Sequence, residues 1–239
     1  MERGLYIAAS GMLVNQLRLD VVANNLANAG TAGYKGDRTA SRSFGDMLLQ
    51  NLEDGAPVGP LSLGAQTNGV ETSFDQGALR VTERELDLAI SGNAFFAVET
   101  PDGVRYTRDG SFRRDADGYL VTAAGRRVLG ESGPLRLAEG KVTVGADGTI
   151  SVGGAEAGRL RLAALEGARK EGGGLLAGEP RAATGASVQQ GYLEAANVDA
   201  VTQMVAMIEI MRSFESGQKA VQAIDETLQK AVNEVGRTG

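Results

Sequence analysis

Apolar positions at the two ends of the chain follow a helical period, and those in the middle follow a strand period. Leu5, Ala8, Met12, Asn15, Leu19, Val22, Leu26 and Ala29 are spaced alternately three and four apart. Seven of these eight are apolar, where a 42% hydrophobic chain would place about three. This predicts an N-terminal helix, stopped by Asn28-Ala29-Gly30 with Gly33 close behind. Gly11 inside that helix costs roughly 1 kcal/mol against Ala. Its setting, Ala8-Ala9-Ser10-Gly11, predicts that another backbone approaches closely there. At the C-terminus Met207, Ile210, Phe214, Gly217, Val221, Ile224, Leu228, Ala231 and Val235 repeat the pattern. Asn197 is the expected N-cap and Asp199 the expected first-turn acid. A helix from about Val198 to Val235 would run roughly 55–60 Å. It is too long to cover a small core, and its 3.5-residue period reads as a coiled-coil seam.

Between the ends, Leu86, Leu88 and Ile90 alternate with Asp87, Ala89 and Ser91, and Val104 and Tyr106 alternate with Arg105 and Thr107. Asp102-Gly103, Asp109-Gly110, Asp117-Gly118 and Asp147-Gly148 are each hairpin-turn signals. An antiparallel β region is therefore expected from about 73 to 190. Thr31 to Thr72 has little periodicity, and Gly55 to Pro60 reads as an extended connector. Glu171-Gly172-Gly173-Gly174 reads as a flexible loop.

Composition narrows the chemistry. The 239 residues include no Cys, no His and no Trp. That removes zinc fingers, thiolate nucleophiles, disulfides and Ser-His-Asp triads. Thirty acidic against 24 basic residues, net charge −6, argue against a nucleic-acid binder. Apolar runs of about five residues fall far short of the ~18 of a membrane span. The start, Met1-Glu2-Arg3-Gly4-Leu5, is not that of an ordinary secretory signal. Ser216-Gly-Gln-Lys219 fits S-x-x-K but lies in the long helix without the S-D-N or K-T-G partners, so solvated helix-face residues are the better reading. Asp115-Ala-Asp117-Gly118 opens like a calcium loop, yet the twelfth position is Arg126 rather than Glu, and a β-turn is expected. Gly140-Lys141 lacks the spacing of a phosphate loop. No cofactor, metal or catalytic residue is expected, and the enzyme reading has no positive support.

The polar cluster Asn24-Asn25-Leu26-Ala27-Asn28 is less ordinary, because three asparagines in five residues weaken a helix. Either the helix frays there, or the amides hydrogen-bond to neighbouring chains in an assembly. At this cluster the chain resembles a known family. Ala23-Asn-Asn-Leu-Ala-Asn28 followed by Thr31-Ala-Gly-Tyr-Lys35 is similar to the N-terminal signature of the bacterial flagellar rod and hook proteins. The resemblance continues through Gln76-Gly-Ala-Leu79, Leu86 to Val98, Tyr106 to Phe112, Asp117 to Val121, Gly191 to Asp199 and Met204 to Ile208. It covers most of the chain outside 36–70 and 153–185. Val128 to Pro134, Asp147 to Ile150, Gly158 to Leu162 and Arg212 to Glu215 look more like the proximal-rod members that carry a β domain, whereas Phe95-Phe96 is at least as familiar from the distal type.

The resemblance implies a structural, non-enzymatic subunit of α+β class. Long N- and C-terminal helices would pair as a discontinuous α-helical coiled-coil domain (1–30 and 196–239), with an extended linker (31–72) and a central antiparallel, mostly-β domain (73–195). The expected function is a proximal-rod subunit, self- and co-assembling into the helical, tubular drive shaft between motor and hook. A distal-rod subunit and an extracytoplasmic binding module are the alternatives. Implied partners are other rod subunits, proximal and distal, and the flagellar type III export apparatus, in a helical hetero-assembly of the periplasmic basal body reached without a cleaved signal. No nucleic acid, small-molecule substrate or membrane span is expected. Candidate assembly residues are Leu5, Ala8, Gly11, Met12, Leu19, Val22, Asn24, Asn25, Leu26 and Asn28 in the first helix. In the second they are Asn197, Met204, Met207, Ile208, Ile210, Phe214, Val221, Ile224 and Leu228. Ile7, Leu13, Leu17, Val201, Val205 and Ile208 fall outside the seam and would stay wet in a monomer.

Overall fold

A computed structural model describes residues 2–43, 46–50, 57–62 and 65–235. The class is α+β: an N-terminal helix, a strand-rich middle and a C-terminal helix. Helix α1 spans Glu2–Ala27 and helix α2 spans Ala200–Val235. The chain divides into two compact units. One comprises Met1–Ala27, Asp37–Glu71 and Ala200–Gly239; the other comprises Asn28–Gly36 and Thr72–Asp199.

In the helical unit, α1 and α2 lie side by side and antiparallel. Asn15 Nδ2 donates to Ser213 Oγ at 3.0 Å, and Asn25 Nδ2 to Gln203 Oε1 at 3.4 Å. A Cβ on Gly4 would sit 3.2 Å from Ile224 Cδ1, and one on Gly217 would sit 2.9 Å from Met12 Cγ. The facing numbers sum to about 228 throughout, so one register holds along the pair. The segment read as a connector carries strands: Asp37–Ser43 pairs with Ala65–Thr72, and Asp46–Gln50 pairs antiparallel with Pro57–Ser62. Of the Gly55–Pro60 connector, Pro57 to Pro60 lie in a strand, and 55–56 fall outside the described residues.

The β unit is built on the strand Phe95–Thr100, whose first four residues are all buried. It pairs with Gly103–Thr107 and Leu162–Gly172, and the ring closes through Leu175–Ala182 as a four-stranded barrel. Alternation along the strand divides its side chains between two cores. Phe95 and Ala97 join Tyr106, Leu129, Ala163 and Leu176. Phe96 and Val98 join the larger cluster that includes Leu88, Phe112, Leu120 and Ile150. Phe96 meets Phe112 edge-on at 5.0 Å, a contact that aromatic quadrupoles favour.

Several local expectations are corrected. Leu88, Ala89 and Ile90 are all buried, as is Asp87, so this strand is not half-solvated; it pairs with Ser187–Gln190 inside the unit. Asp102-Gly103, Asp117-Gly118 and Asp147-Gly148 do close turns, each glycine at positive φ. Asp109-Gly110 does not; Gly110 is a glycine because a Cβ there would lie 1.7 Å from Leu88 O. The glycines after Glu171 form a tight hairpin rather than a flexible loop: Gly172 pairs with Leu175 across Gly173-Gly174, both at positive φ. The predicted approach to Gly11 is absent among the described residues, where nothing lies within 4 Å of a Cβ built there.

Candidate assembly site

The sequence stripes place the helix seam. On α1, Leu5, Ala8, Met12, Asn15, Leu19, Val22 and Leu26 are all half-buried; on α2, Met207, Phe214, Gly217, Val221, Ile224 and Leu228 are half-buried and Ile210 is buried. α1 and α2 thus cover one stripe each with the other. Gly217 stands where Met12 leaves no room for a side chain, which accounts for the one residue of the α2 stripe that is not apolar. Val14, off the predicted stripe, is the most deeply buried apolar residue of α1. Outside the seam, Tyr6, Ile7, Leu13, Val201, Met204, Val205, Ile208 and Met211 are exposed, whereas Leu17 is half-buried. Met204 and Ile208 therefore belong to a different surface from Met207 and Ile210.

The asparagines serve different ends. Asn25 is 3% exposed, and its amide brackets the backbone of Asp37: Oδ1 accepts from Asp37 N at 2.9 Å and Nδ2 donates to Asp37 O at 2.8 Å. This fixes the start of the strand Asp37–Ser43 beside the end of α1. Asn24 is exposed, and Asn28 beyond the helix end accepts from Thr31 N through its carbonyl at 3.0 Å. Asn197 is not the cap of α2, because the helix begins three residues later and Asp199 directly precedes it. Its amide instead joins three chain passages of the β unit, accepting from Gly36 N at 2.6 Å and donating to Ser73 O at 2.9 Å and Asp75 O at 3.2 Å.

Beside Asn197 lies a buried ionic hub that sequence reasoning left unassigned. Lys35, Arg108 and Glu194 are each 3% exposed or less. Lys35 Nζ donates to Glu194 Oε1 at 2.5 Å and to Asp75 O at 2.7 Å. Gly77 N donates to the same carboxylate oxygen at 2.9 Å. Arg108 Nη1 lies 3.2 Å from Glu194 Oε2 and donates to Ile90 O, while Nη2 donates to Gly92 O. The guanidinium stands 5.1 Å over the Phe95 ring. Gly33, at φ +65°, donates to Glu194 O at 2.7 Å, and a Cβ there would lie 2.3 Å from the Arg108 backbone. Burial holds the Lys35 ammonium below its usual range, with Glu194 acting against that shift. Arg108 is shifted the same way by burial and is likewise opposed by Glu194. Glu194, through its carboxylate and its backbone carbonyl, thus holds the outgoing passage at 33–35 and the inner strand end at 108 against the final passage at 194. All three residues lie in quoted motifs, Thr31 to Lys35, Tyr106 to Phe112 and Gly191 to Asp199, so the signal was present as position but not as role.

Ser216 and Lys219 are exposed on α2, and Asp115 closes a turn by accepting from the backbone N–H of Asp117 and Tyr119. No group of three or more acidic, His or Cys side chains among the described residues is placed to hold a metal. No helix among them is long and apolar enough to cross a membrane. Two mated helices that leave apolar faces uncovered, joined to a β unit with its own cores, define a structural subunit of an assembly.

Comparison with known proteins gives the family. Residues 5–35 match "Flagella basal body rod protein", 89–152 match "Flagellar hook protein FlgE/F/G D1 domain", and 189–234 match "Flagellar basal body rod FlgEFG protein C-terminal". The chain is 36% identical over 247 residues to the flagellar basal-body rod protein FlgF of Caulobacter vibrioides, covering 99% of each. It is 33% identical over 264 residues to the flagellar basal-body rod protein FlgG of Bacillus subtilis, covering 98% of this chain and 99% of that one. It is 31% identical over 270 residues to the flagellar hook-basal body complex protein FlhO of the same organism, covering 99% and 100%. The chain belongs to the flagellar basal-body rod proteins and is a structural rod subunit. Its place is the flagellar basal body, in assembly with other rod components.

Proposed function

We propose that this is a proximal-type rod subunit whose terminal helices form a discontinuous coiled-coil core that polymerises with neighbouring rod subunits. The carrying observation is that each helix covers one stripe against the other while a second apolar face stays open to water. Seam residues from Leu5 to Leu26 and Met207 to Leu228 hold the pair, and the uncovered faces take up neighbours. The β unit has separate cores, and the Lys35–Glu194–Arg108 hub locks its chain passages. Its role is mechanical, not enzymatic. The subunit reaches the periplasm unfolded, through the flagellar type III export apparatus, with no signal cleaved. Proximal placement is supported by Val128 to Pro134 and Gly158 to Leu162; the Phe95-Phe96 pair supports a second, distal reading.

Electron cryomicroscopy of isolated basal bodies tests placement. Density for this chain in the motor-side part of the rod is expected. Density only in the hook-side part replaces the proximal reading with the distal one.

A further inference from the structure

Asp87 is buried in the β unit, 1% exposed, and neither of its carboxylate oxygens has a hydrogen-bond partner among the described residues. The one cation within 4 Å of it there is Arg84, whose Nε lies 3.9 Å from Oδ1 and whose side chain is 70% exposed. That separation is too long for a hydrogen bond. Arg84 sits on a strap, residues 82–86, which links the strand Leu79–Val81 to Leu88–Ser91 and straddles Gln190-Gly191. Thr82 N, Thr82 Oγ1 and Glu83 N all donate to Gly191 O, at 2.8, 3.3 and 3.2 Å. Gly191 N donates to Asp87 O at 2.8 Å, and Gln190 Nε2 donates to Glu85 O at 2.8 Å. One carbonyl thus offers two lone pairs to three donors, so these fastenings cannot all be strong at once. Glu83 is also the only non-glycine at positive φ among the described residues, at 58°, a conformation disfavoured wherever a Cβ is present.

We propose that 82–86 is a strap with two positions, which closes when the Arg84 guanidinium moves onto the Asp87 carboxylate and clamps Gln190-Gly191 in place. The observed arrangement is the open position. In it Asp87 has lost its hydration and gained no donor, which is costly for a buried anion. Closure shortens the Nε to Oδ1 distance by about 1 Å, into the range of a charge-assisted bond, and gives up the rotamer freedom of one exposed side chain. A fully exposed pair would gain little by this. Here one partner is already desolvated, so the new bond restores what burial took away. Two other carboxylates flank Arg84. Glu85 Oε2 accepts from Val142 N at 3.2 Å, and Glu83 is exposed, where pairing with an arginine is weak. Gly191 opens the passage to Tyr192–Glu194, which pairs with Leu79–Val81 and brings Glu194 to the hub. The strap therefore sets how firmly that passage is seated, through a contact separate from the hub itself.

Amide hydrogen exchange at Thr82, Glu83 and Gly191, whose N–H groups fasten the strap, reads its position in the full-length protein. Arg84→Gln and Asp87→Asn are measured singly and together, with the thermal melt of the β unit reporting folding. Either single change is expected to speed exchange at these amides about tenfold, the lower end of what a charge-assisted bond confers, and the double variant no further. Asp87→Asn should do so without lowering the melt, because it removes a buried charge that had no hydrogen bond. Exchange within about twofold of the parent in Arg84→Gln overturns the strap. So do single effects that multiply to about a hundredfold in the double variant, or an Asp87→Asn melt that falls while strap exchange stays unchanged. If Asp87→Asn shows no melt at all, Arg84→Gln against Arg84→Lys decides. Fast exchange with Gln and parent-like exchange with Lys supports the pairing, and equal rates in both overturn it.

Discussion

Replacing Glu194 by Gln should destabilise the β unit more than any other change that removes a single charge. The carboxylate is 1% exposed and is the shared partner of two cations that are themselves 3% exposed. Glutamine keeps the volume and one acceptor for Gly77 N but removes the buried carboxylate charge that Lys35 and Arg108 share. Removing one partner of a buried pair costs about 3–5 kcal/mol, because the remaining charge is left desolvated and uncompensated. With total stabilities of ~5–15 kcal/mol, this is a large share. At ~2–4 °C per kcal/mol, the midpoint should fall by on the order of 10 °C. Urea and thermal melts followed by circular dichroism measure it. Adding Lys35→Met to the Glu194→Gln variant should recover part of the loss by removing the stranded ammonium. The pH dependence has a definite sign. Burial already holds Lys35 below its ordinary 10.5, so between its folded and unfolded values the unfolded chain binds more protons, and stability rises with pH. Losing Glu194 removes the group that opposes this shift, so the window should extend to lower pH and the rise should be steeper in Glu194→Gln than in the parent. A loss below ~1 kcal/mol, or parallel pH profiles, would show that the hub is not held by its charges.

Four further outcomes follow from particular contacts. Gly110→Ala should cost several kcal/mol or prevent folding of the β unit, because the new Cβ would lie 1.7 Å from a carbonyl oxygen; Gly11→Ala, with open space around it, should raise helix content and monomer stability by up to ~1 kcal/mol in the same melts. Phe96→Ala, at a fully buried position edge-on to Phe112, should lose about 3–5 kcal/mol in urea titrations. Leu19→Asp or Ile224→Asp on the seam should abolish sedimenting polymer and leave the β-unit melt unchanged; loss of that melt in either variant refutes independent units. In dilute protein, hydrogen exchange should be slow across Leu88–Val98 and fast through most of 200–235; strong protection along both helices would mean that they need no neighbours.

The two helices were legible in the sequence because their physics is local. A stripe at three-four spacing marks the buried side of a helix whatever it packs against, and from Met207 to Leu228 the covered positions of α2 fall on the stripe read from its side chains. The α+β class and the rod family were legible for the same reason: turns and motifs are short-range. Failures came where the deciding atom is distant in sequence. Asp109-Gly110 has the composition of a hairpin turn, but its glycine answers to Leu88 O, and Leu88 to Ile90 lost their alternation to the pairing with Ser187–Gln190. Asn197 reads as a cap by position and is drawn off by Gly36, Ser73 and Asp75.

The ionic hub explains why such sites resist sequence reading and what they do for an assembling subunit. Lys35, Arg108 and Glu194 each look like ordinary surface charges, because burial is a property of the closed fold. Once closed, the three are mutually required: 159 positions separate Lys35 from Glu194, so the charges meet only when the first and last passages of the β unit are in place together. A half-formed unit would hold desolvated cations without their carboxylate, which penalises partial closure and makes formation of the unit more nearly all-or-none. On the function proposed above the helices obey the opposite rule, since their second apolar faces are open to water in the single chain and await neighbouring subunits. On that reading one chain combines a part that completes itself with a part that is completed by its neighbours.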